Sequence, residues 1–443
     1  MTPKAGGIAR PGRVRHLTVS AITVTGGGHI GRIGGSTWLT RREGLEQLTP
    51  TARAPAFRPP RGRVSKFVIP EVIFGVGTLA EVGEAVRRVG GRRPMLVSDP
   101  GVLAAGWVDR AVPYLDDVRG QWRLWHDLTP NPKEFEVQAA FESYMEAGSD
   151  ALVAIGGGSC IDLAKAVAIL SGNGGKILDY EGIDHATSPI PPMVMVPTTG
   201  GSGSDVSQFC VVTDTSRRLK VTIGGRALVP EISVTDPQLL TTLSAELTAY
   251  TGMDALSHAI ESAVSEACDF LSKGLAIAAI RGIAEHLPVA VEDPLELTAR
   301  EGMARASLQA GMAFTNALLG ATHAIAHQIG GALDLPHGLL NAILLPHVMR
   351  FNAETHAGRY VDVAGALGVT TEGIGAVAAA ERAVQRVEEL SRALGIPSGL
   401  HEIGVNPADF DVFARNALRD AYIATNPRPV SEDDVHRICV AAY

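Results

Sequence analysis

The sequence predicts an α/β domain with a doubly wound, mostly parallel sheet, followed by an all-helical domain. From about Ser65 apolar strand-like runs alternate with amphipathic helical runs, which is the pattern of such a sheet. After about Thr242 the strand signals fade, and long helical patterns continue to the end of the chain. The first 64 residues are rich in Gly, Pro, Arg and Thr and fit neither pattern. We therefore predict a flexible basic extension over 1–64, an α/β domain over 65–242 and a helical domain over 243–443.

The extension contains one motif that resembles a nucleotide-binding loop. Gly26, Gly28 and Gly31 spell GxGxxG after a short strand-like run. That motif requires a helix directly after it, whereas two further glycines and a serine follow here. We do not predict a nucleotide site in the extension.

The α/β elements follow one another in chain order. An apolar run bounded by glycine or proline indicates a strand, and a 3.6-residue apolar period indicates a helix. The predicted strands are FVIPEVIFGVG, RRPMLVSD, QWRLWHDL, DALVAI and PPMVMVP, and the predicted helices are TLAEVGEAVRRVG, EFEVQAAFESYMEAG and SCIDLAKAVAIL.

The helical domain has long periodic segments and a clear final cap. Its helices are predicted over ELTAYTGMDALSHAIESAVS, SKGLAIAAIRGIAEHLPVAVE and REGMARASLQAGMAF. Ser431 precedes three acidic residues in the tail, which is a typical helix start.

Charge and cysteine usage exclude several classes of protein. The extension has 11 Lys/Arg against two Asp/Glu, so the rest of the chain has a net charge of −17. An acidic body argues against nucleic-acid binding. Four scattered cysteines without a CxxC pair argue against a disulfide framework or a thiolate zinc site and suit a reducing cytoplasm. No apolar run reaches the roughly 18 residues that span a bilayer, so no membrane association is expected.

Titratable residues at helical spacing indicate a metal site. Asp254 and His258 stand four residues apart, His323 and His327 repeat that spacing, and His337 follows a proline. Residues four apart lie on one face of a helix, so each pair can direct two donor atoms to one point. Isolated core histidines are the alternative, but several buried titratable groups are costly without a shared ligand. The spacing alone does not choose between His323 and His327.

Two glycine-rich loops and a strand-end acid indicate a dinucleotide. Gly156 to Ser159 join a predicted strand to a helix, where backbone amides bind phosphate, and Asp162 and Lys165 add polar groups. Thr198 to Ser204 form a second polar glycine loop after another strand. Asp99 ends an early strand, where it either accepts hydrogen bonds from a ribose or caps a turn. Together with the metal site, these loops predict metal-assisted hydride transfer.

These motifs resemble the iron-containing (group III) alcohol dehydrogenase family from about Phe67 to Tyr443. GGGSCIDLAK is similar to the family's GGGSxxDxAK, and PTTGGSGSDVS to its PTTxGTGSEVT, with Ser202 in place of a threonine and Asp205 in place of a glutamate. TGMDALSHAIE, GATHAIAHQIGG and LPHGLLNAILLPHVMRFN look like its metal-binding segments, and TNPRPVSEDDV like its C-terminal signature. The resemblance implies a Rossmann-like N-terminal domain, a helical C-terminal domain and an active site in the cleft between them.

The resemblance also implies roles for individual residues. His327 is expected beside the metal and the substrate as a proton relay, Phe314 beside the substrate pocket, and Asp99 as the acid that favours NAD over NADP. The implied metal ligands are Asp254, His258, His323 and His337, and the implied cofactor residues are Asp99, Asn131, Gly157, Gly158, Ser159, Asp162, Thr198, Thr199, Ser202 and Lys220.

The expected activity is reversible hydride transfer between a primary alcohol or aldehyde and NAD(H). The expected metal is Fe(II), with Zn(II) as the alternative, and the expected assembly is a cytoplasmic homodimer. The rival function is a dehydroquinate synthase-like lyase that also uses NAD and a metal. A polyol or hydroxy-acid dehydrogenase is a further alternative within the oxidoreductases.

Overall fold

A computed structural model describes residues 66–118 and 121–443 of the chain. The predicted extension over 1–64 and its GxGxxG motif lie outside these residues. The described residues form one compact unit.

The centre of the fold is a six-stranded sheet in which all neighbouring strands are parallel. Its spatial order is β1-β9-β6-β4-β2-β3, and a smaller sheet has the order β5-β8-β7. The strands are β1 (Glu71–Phe74), β2 (Pro94–Val97), β3 (Arg123–Trp125), β4 (Ala151–Gly156), β5 (Gly182–Ile183), β6 (Met193–Pro197), β7 (Phe209–Asp214), β8 (Leu219–Gly224) and β9 (Ile232–Thr235).

The middle strands are apolar throughout because both faces of the sheet are covered. Val153 on β4 pairs with Val194 on β6, and both belong to the core layer on one face. The adjacent pair Leu152 and Met193 belongs to the layer on the other face. The predicted parallel sheet is confirmed.

The hairpin of β7 and β8 was not predicted. The two strands are antiparallel, and β8 also pairs with β5 in parallel. The turn between them has its left-handed backbone at Arg218, with φ of 54°. Since glycine or asparagine usually occupies such a position, the turn was not recognisable from the sequence.

Helices cover the sheet and form the rest of the described chain, which has no strand after Thr235. Ser431 caps the last helix in a capping box with Asp434, as the sequence predicted. The helices are α1 (Val82–Arg88), α2 (Pro100–Ala104), α3 (Trp107–Asp116), α4 (Glu134–Glu146), α5 (Gly158–Asn173), α6 (Ala245–Val264), α7 (Phe270–Glu292), α8 (Leu297–Ala317), α9 (Ala321–Leu333), α10 (His337–His356), α11 (Val361–Ala366), α12 (Ala376–Ala393), α13 (Phe410–Ala417) and α14 (Glu432–Ala441).

Helix α7 is long and apolar enough to span a bilayer by length and composition, with a mean hydropathy of 1.4. Such a segment was not predicted. Core helices of soluble proteins meet the same criteria, and 33% of the apolar window of α7 is buried, including Ile280, Ile283 and Leu287.

The parallel topology brings the predicted cofactor residues to one edge of the sheet. The carboxyl ends of parallel strands share an edge, and ligands of open α/β sheets bind there. Asp99 follows β2, Gly157 follows β4 and Thr198 follows β6. The three segments named from the sequence therefore meet.

Candidate active site

A cavity of about 870 Å³ lies between the carboxyl edge of the sheet and the helices α6, α8, α9 and α10. Every residue to which the family resemblance gave a role lines this cavity. On the helical side these are Asp254, His258, Phe314, His323, His327 and His337, and on the sheet side Asp99, Asn131, Gly157, Gly158, Ser159, Asp162, Thr198, Thr199, Ser202 and Lys220.

Three helices bring the metal-donor set together, by which we mean Asp254, His258, His323 and His337. The Oδ1 atom of Asp254 lies 3.7 Å from Nε2 of His323 and 3.7 Å from Nε2 of His337. Donor atoms of Asp254, His258 and His323 all lie within 4.8 Å of one another. Donors that surround one ion tetrahedrally at about 2.1 Å are about 3.4 Å apart, so Asp254, His258 and His323 have the spacing of a divalent metal site, which His337 adjoins through Asp254.

A glycine allows His337 to approach Asp254. Gly338 lies against α6, where an added Cβ would be 2.2 Å from the carbonyl oxygen of Tyr250 and 3.2 Å from Cβ of Asp254. A side chain at this position would therefore push the start of α10 away from α6. This steric constraint explains why glycine follows His337 at the start of α10.

In the donor set, the negatively charged carboxylate of Asp254 is surrounded by imidazole rings. Burial opposes the charge of Asp254, but the nearby imidazoles hold its pKa well below the ordinary value. Burial lowers the pKa of His258 to about 4 and also lowers that of His337. His323 differs, because the carboxylates of Asp254 and Glu261 outweigh its burial and raise its pKa to about 9. The set attracts a positive charge, which suits a cation bound by a carboxylate and neutral imidazoles.

Glu261 fixes the ring of His323. One carboxylate oxygen lies 2.6 Å from Nδ1 of His323, and the other accepts the backbone N–H of Thr322 at 2.7 Å. The first bond places a proton on Nδ1, so Nε2 is the nitrogen that can bind a cation in place of its own proton. Glu261 was not predicted, although it stands three residues after His258 and so on the same side of α6.

His327 has a different partner from His323. Its Nδ1 lies 2.8 Å from Oδ2 of Asp420, and its ring is stacked 5.3 Å from that of His337. Asp420 is held in turn because its Oδ1 accepts the backbone N–H of Tyr422. The other ring nitrogen of His327 is thus available to the cavity, beside the donor set. No motif marked Asp420 as part of the site.

An apolar corner borders the donor set. The ring of Phe314 stacks 4.6 Å from that of His258, and Phe209 contacts both Phe314 and Tyr422. Leu319 belongs to the same buried cluster. This corner offers apolar contact to a small carbon chain.

The glycine loop after β4 forms the opposite wall. Gly157 is the N-cap of α5, so free backbone N–H groups at the start of this helix face the cavity. An added Cβ at Gly158 would lie 2.9 Å from Cβ of Ser202 in the second loop. The two predicted loops are therefore in contact, with no room for a side chain between them.

Asp99 caps a helix and still faces the cavity. Its Oδ1 accepts the backbone N–H of Val102 at the start of α2, and its Oδ2 accepts the thiol of Cys160 at 3.1 Å. The capping role that the sequence left open is thus observed. Each carboxylate oxygen has a second lone pair, so Asp99 can also accept a hydroxyl of a bound ribose.

Charged groups lie on the sheet side of the cavity. Burial raises the pKa of Asp162 to about 6, and burial lowers that of Lys220 to about 8. The ammonium of Lys220 donates to Oδ1 of Asn131 at 2.7 Å.

Lys165 does not line the cavity, because its ammonium donates to the carbonyl oxygens of Ser207 and Phe209. It has a structural role instead.

The two departures from the family pattern are accommodated locally. Ser202 keeps a hydroxyl at the cavity, where it accepts the backbone N–H of Ser204. Asp205 is buried, and its carboxylate accepts the hydroxyl of Ser233 at 2.7 Å.

Comparison with known families covers nearly all of the described chain. The model of "Iron-containing alcohol dehydrogenase" matches residues 70–237. The model of "Fe-containing alcohol dehydrogenase family, C-terminal" matches residues 248–443.

Individual relatives agree with the family match. The chain is 40% identical over 384 residues to the 1,3-propanediol dehydrogenase of Citrobacter freundii, which covers 86% of this chain and 99% of the relative. It is 36% identical over 372 residues to the NAD-dependent methanol dehydrogenase of Bacillus methanolicus, covering 84% and 98%. The crystal structure of a 1,3-propanediol oxidoreductase matches with a TM-score of 0.83 and 38% identity, covering 86% of this chain and all of that one.

Proposed function

The chain belongs to the iron-containing alcohol dehydrogenase family, and we propose that it oxidises small primary alcohols reversibly to aldehydes with Fe(II) and NAD(H). Members of the family are metal-containing, NAD-dependent oxidoreductases that act on alcohols and aldehydes. The observation that supports the proposal most strongly is the donor set, which faces the glycine loops across one cavity. The dehydroquinate synthase-like lyase is not retained, since the matched relatives are dehydrogenases.

The donor set fits a divalent metal. Asp254 would supply the anionic oxygen, and His258, His323 and His337 the neutral nitrogens. Two observations support this assignment: the 3.7 Å separations, and the bond from Glu261 to Nδ1 of His323, which leaves Nε2 as the nitrogen that faces the other donors. A carboxylate with three imidazoles suits Fe(II), and Zn(II) is the alternative.

The sheet side fits a dinucleotide. The N-terminus of α5 with Gly157, Gly158 and Ser159 would bind the pyrophosphate, because its N–H groups are free and no side chain intrudes. Asp99 would accept the ribose hydroxyls, and an acid there disfavours the 2′-phosphate of NADP. The cofactor set is completed by Asn131, Asp162, Thr198, Thr199, Ser202 and Lys220, which line the cavity between the pyrophosphate and the donor set.

The groups bound in the cavity would supply Lewis-acid polarisation of the substrate oxygen and a nicotinamide that accepts or returns a hydride. The protein would orient the carbon chain in the apolar corner of Phe314, Leu319 and Tyr422. His327 would take up the proton of the alcohol, while Asp420 holds its ring in place. An apolar corner beside the donor set suits a short carbon chain, in keeping with relatives named for 1,3-propanediol and methanol.

Two broader proposals follow from the arrangement of elements. The predicted division into 65–242 and 243–443 falls between β9 and α6, so the cavity would lie between the two domains. We also keep the expectation of a cytoplasmic homodimer.

A substrate panel on protein of measured metal content tests the function. Short primary alcohols should produce NADH absorbance at 340 nm, and the corresponding aldehydes should consume NADH. His337→Ala should lose metal and turnover together, because it removes one of four donors. His347→Ala is the matched control, since this half-buried histidine lies on the same helix outside the cavity. Full activity of a metal-free His337→Ala variant would refute the metal assignment.

A further inference from the structure

Asn341 lies at the convergence point of the donor set. It stands one turn after His337 on α10 and is completely buried. Its Nδ2 donates to Oδ1 of Asp254 at 2.7 Å and lies 2.9 Å from Nε2 of His323 and 3.1 Å from Nε2 of His337. The amide group has only two protons for three acceptors. Ligand atoms of three members of the donor set therefore surround one small region, and the amide is part of it.

The other end of the same amide has no partner. Oδ1 of Asn341 is buried and makes no hydrogen bond with any described residue. An unpaired buried carbonyl is unfavourable, because it loses its hydrogen bonds to water without replacement. The terminal torsion of asparagine is broad and roughly two-fold, so half a turn exchanges the nitrogen and the oxygen within the same space. The two orientations differ in charge, because the NH2 group suits lone pairs whereas the oxygen suits a cation.

We propose that Asn341 is a switchable oxygen ligand of the metal site, which rests on the proposed function in that it assumes a bound metal. In protein stripped of metal, the NH2 group donates to Asp254 and its neighbours. When a cation is held by those donors, an N–H directed at it would be repelled, and the amide turns its oxygen to the ion. Asn341 then adds a neutral oxygen to the carboxylate and imidazoles of the donor set.

The added oxygen bears on the choice of metal. Four protein ligands already fill a tetrahedral Zn(II) site, whereas catalytic sites keep a position open for substrate. An ion that accepts six ligands would keep one position free beside five protein donors. Oxygen donors also favour harder ions. Asn341 thus favours Fe(II) or Co(II) over Zn(II) at this site.

The test measures metal affinity and the spectrum of the cobalt form. Full-length protein is stripped with a chelator and titrated with Co(II) and with Zn(II) against a chromophoric competitor. Asn341→Leu removes both polar ends at similar volume and should weaken Co(II) binding by about tenfold or more, with a smaller loss for Zn(II). The visible absorption of bound Co(II) should intensify as its coordination number falls. Asn341→Asp keeps an oxygen and should retain Co(II) affinity.

Asn352→Leu is the matched control. Asn352 is also buried on α10, but its amide pairs with that of Asn426. Both leucine variants should lower thermal stability, and only Asn341→Leu should change the ratio of the two metal affinities. Unchanged or tighter Co(II) binding by Asn341→Leu would refute the ligand role, as would a loss of Co(II) binding in Asn341→Asp. Failure of the unaltered protein to bind either metal would instead refute the proposed function.

Discussion

Glu261→Gln tests whether the geometry of the metal site depends on a residue that would not touch the metal. The two carboxylate oxygens of Glu261 have different hydrogen-bond partners: one contacts Nδ1 of His323, and the other accepts the backbone N–H of Thr322. Glutamine keeps a single oxygen, so its NH2 group must face one of these two donors. If it faces His323, the ring can only accept at Nδ1 and must bear its proton on Nε2. In that tautomer Nε2 has no lone pair for a metal.

The size of the effect follows from these contacts. Changes to groups that orient a metal ligand typically cost about 10–100-fold in metal affinity, which is about 1.4–2.7 kcal/mol. The variant also loses a hydrogen bond to a charged acceptor, worth about 1.5–3 kcal/mol of folding free energy. We therefore expect weaker Co(II) binding and lower stability in the metal-free protein, with the fold retained.

The assay is chelator competition for Co(II), together with urea unfolding of the stripped protein. Glu136→Gln is the control, because both oxygens of Glu136 also accept hydrogen bonds, from Thr129 and Lys133, outside the metal site. It should lower stability and leave metal affinity unchanged. A Co(II) affinity of Glu261→Gln within twofold of the unaltered protein would refute the orienting role.

Three further predictions address the proton, the cofactor and acid stability. Asp420→Asn should lower kcat about tenfold or more with metal content unchanged, because the ring of His327 loses its anionic partner. If metal content fell by the same factor as kcat, Asp420 would have a structural role instead. Gly158→Ala should weaken NAD binding about tenfold or more by fluorescence titration, because the added Cβ would lie 2.9 Å from Cβ of Ser202. Gly274→Ala on α7 should bind NAD normally, because an added Cβ there has no atom within 4 Å. Burial opposes the charge of Asp214, but hydrogen bonds from Ser216 and Arg217 lower its pKa to about 2. Asp214→Asn should therefore lose about 2 kcal/mol in urea unfolding at pH 7, and the difference should shrink as the pH falls below about 4; a pH-independent difference would contradict this.

The helices of the metal site were predictable because their spacing is local. Asp254 and His258 share one face of α6, and His323 and His327 one face of α9, as the period of a helix requires. Which of His323 and His327 belongs to the donor set is not determined by their spacing along the helix. It depends on which ring faces Asp254 across the cavity and which faces Asp420. The family resemblance implied that choice, whereas spacing alone left it open.

The groups that orient the site were beyond sequence reasoning for the same reason. Glu261 meets His323 at a separation of 62 residues, Asn341 meets Asp254 at 87, and Asp420 meets His327 at 93. Glu261 and Asn341 lie inside segments that resemble the family's metal-binding motifs, but their spacing does not show which side chains they contact. Their roles come from packing between α6, α9, α10 and the segment after α13, which only the folded structure shows.

Hydrogen bonds and an ion pair join the sheet side of the cavity to the helical side, and no sequence motif indicates them. Asn131 follows β3, and its amide donates to Asp334 at the end of α9, while its oxygen accepts the ammonium of Lys220. Asn131 and Asp334 both have a left-handed backbone, with φ of 58° and 53°. Such conformations cost residues other than glycine free energy, and the surrounding contacts must compensate for it. Hydride transfer needs the nicotinamide and the carbinol carbon within about 3–3.5 Å. Lys133 also pairs with Asp334, so an ion pair as well as a hydrogen bond ties the segment after β3 to the end of α9, the helix of His323 and His327. Asp334→Asn should weaken this connection without replacing any residue assigned to the cofactor or the metal.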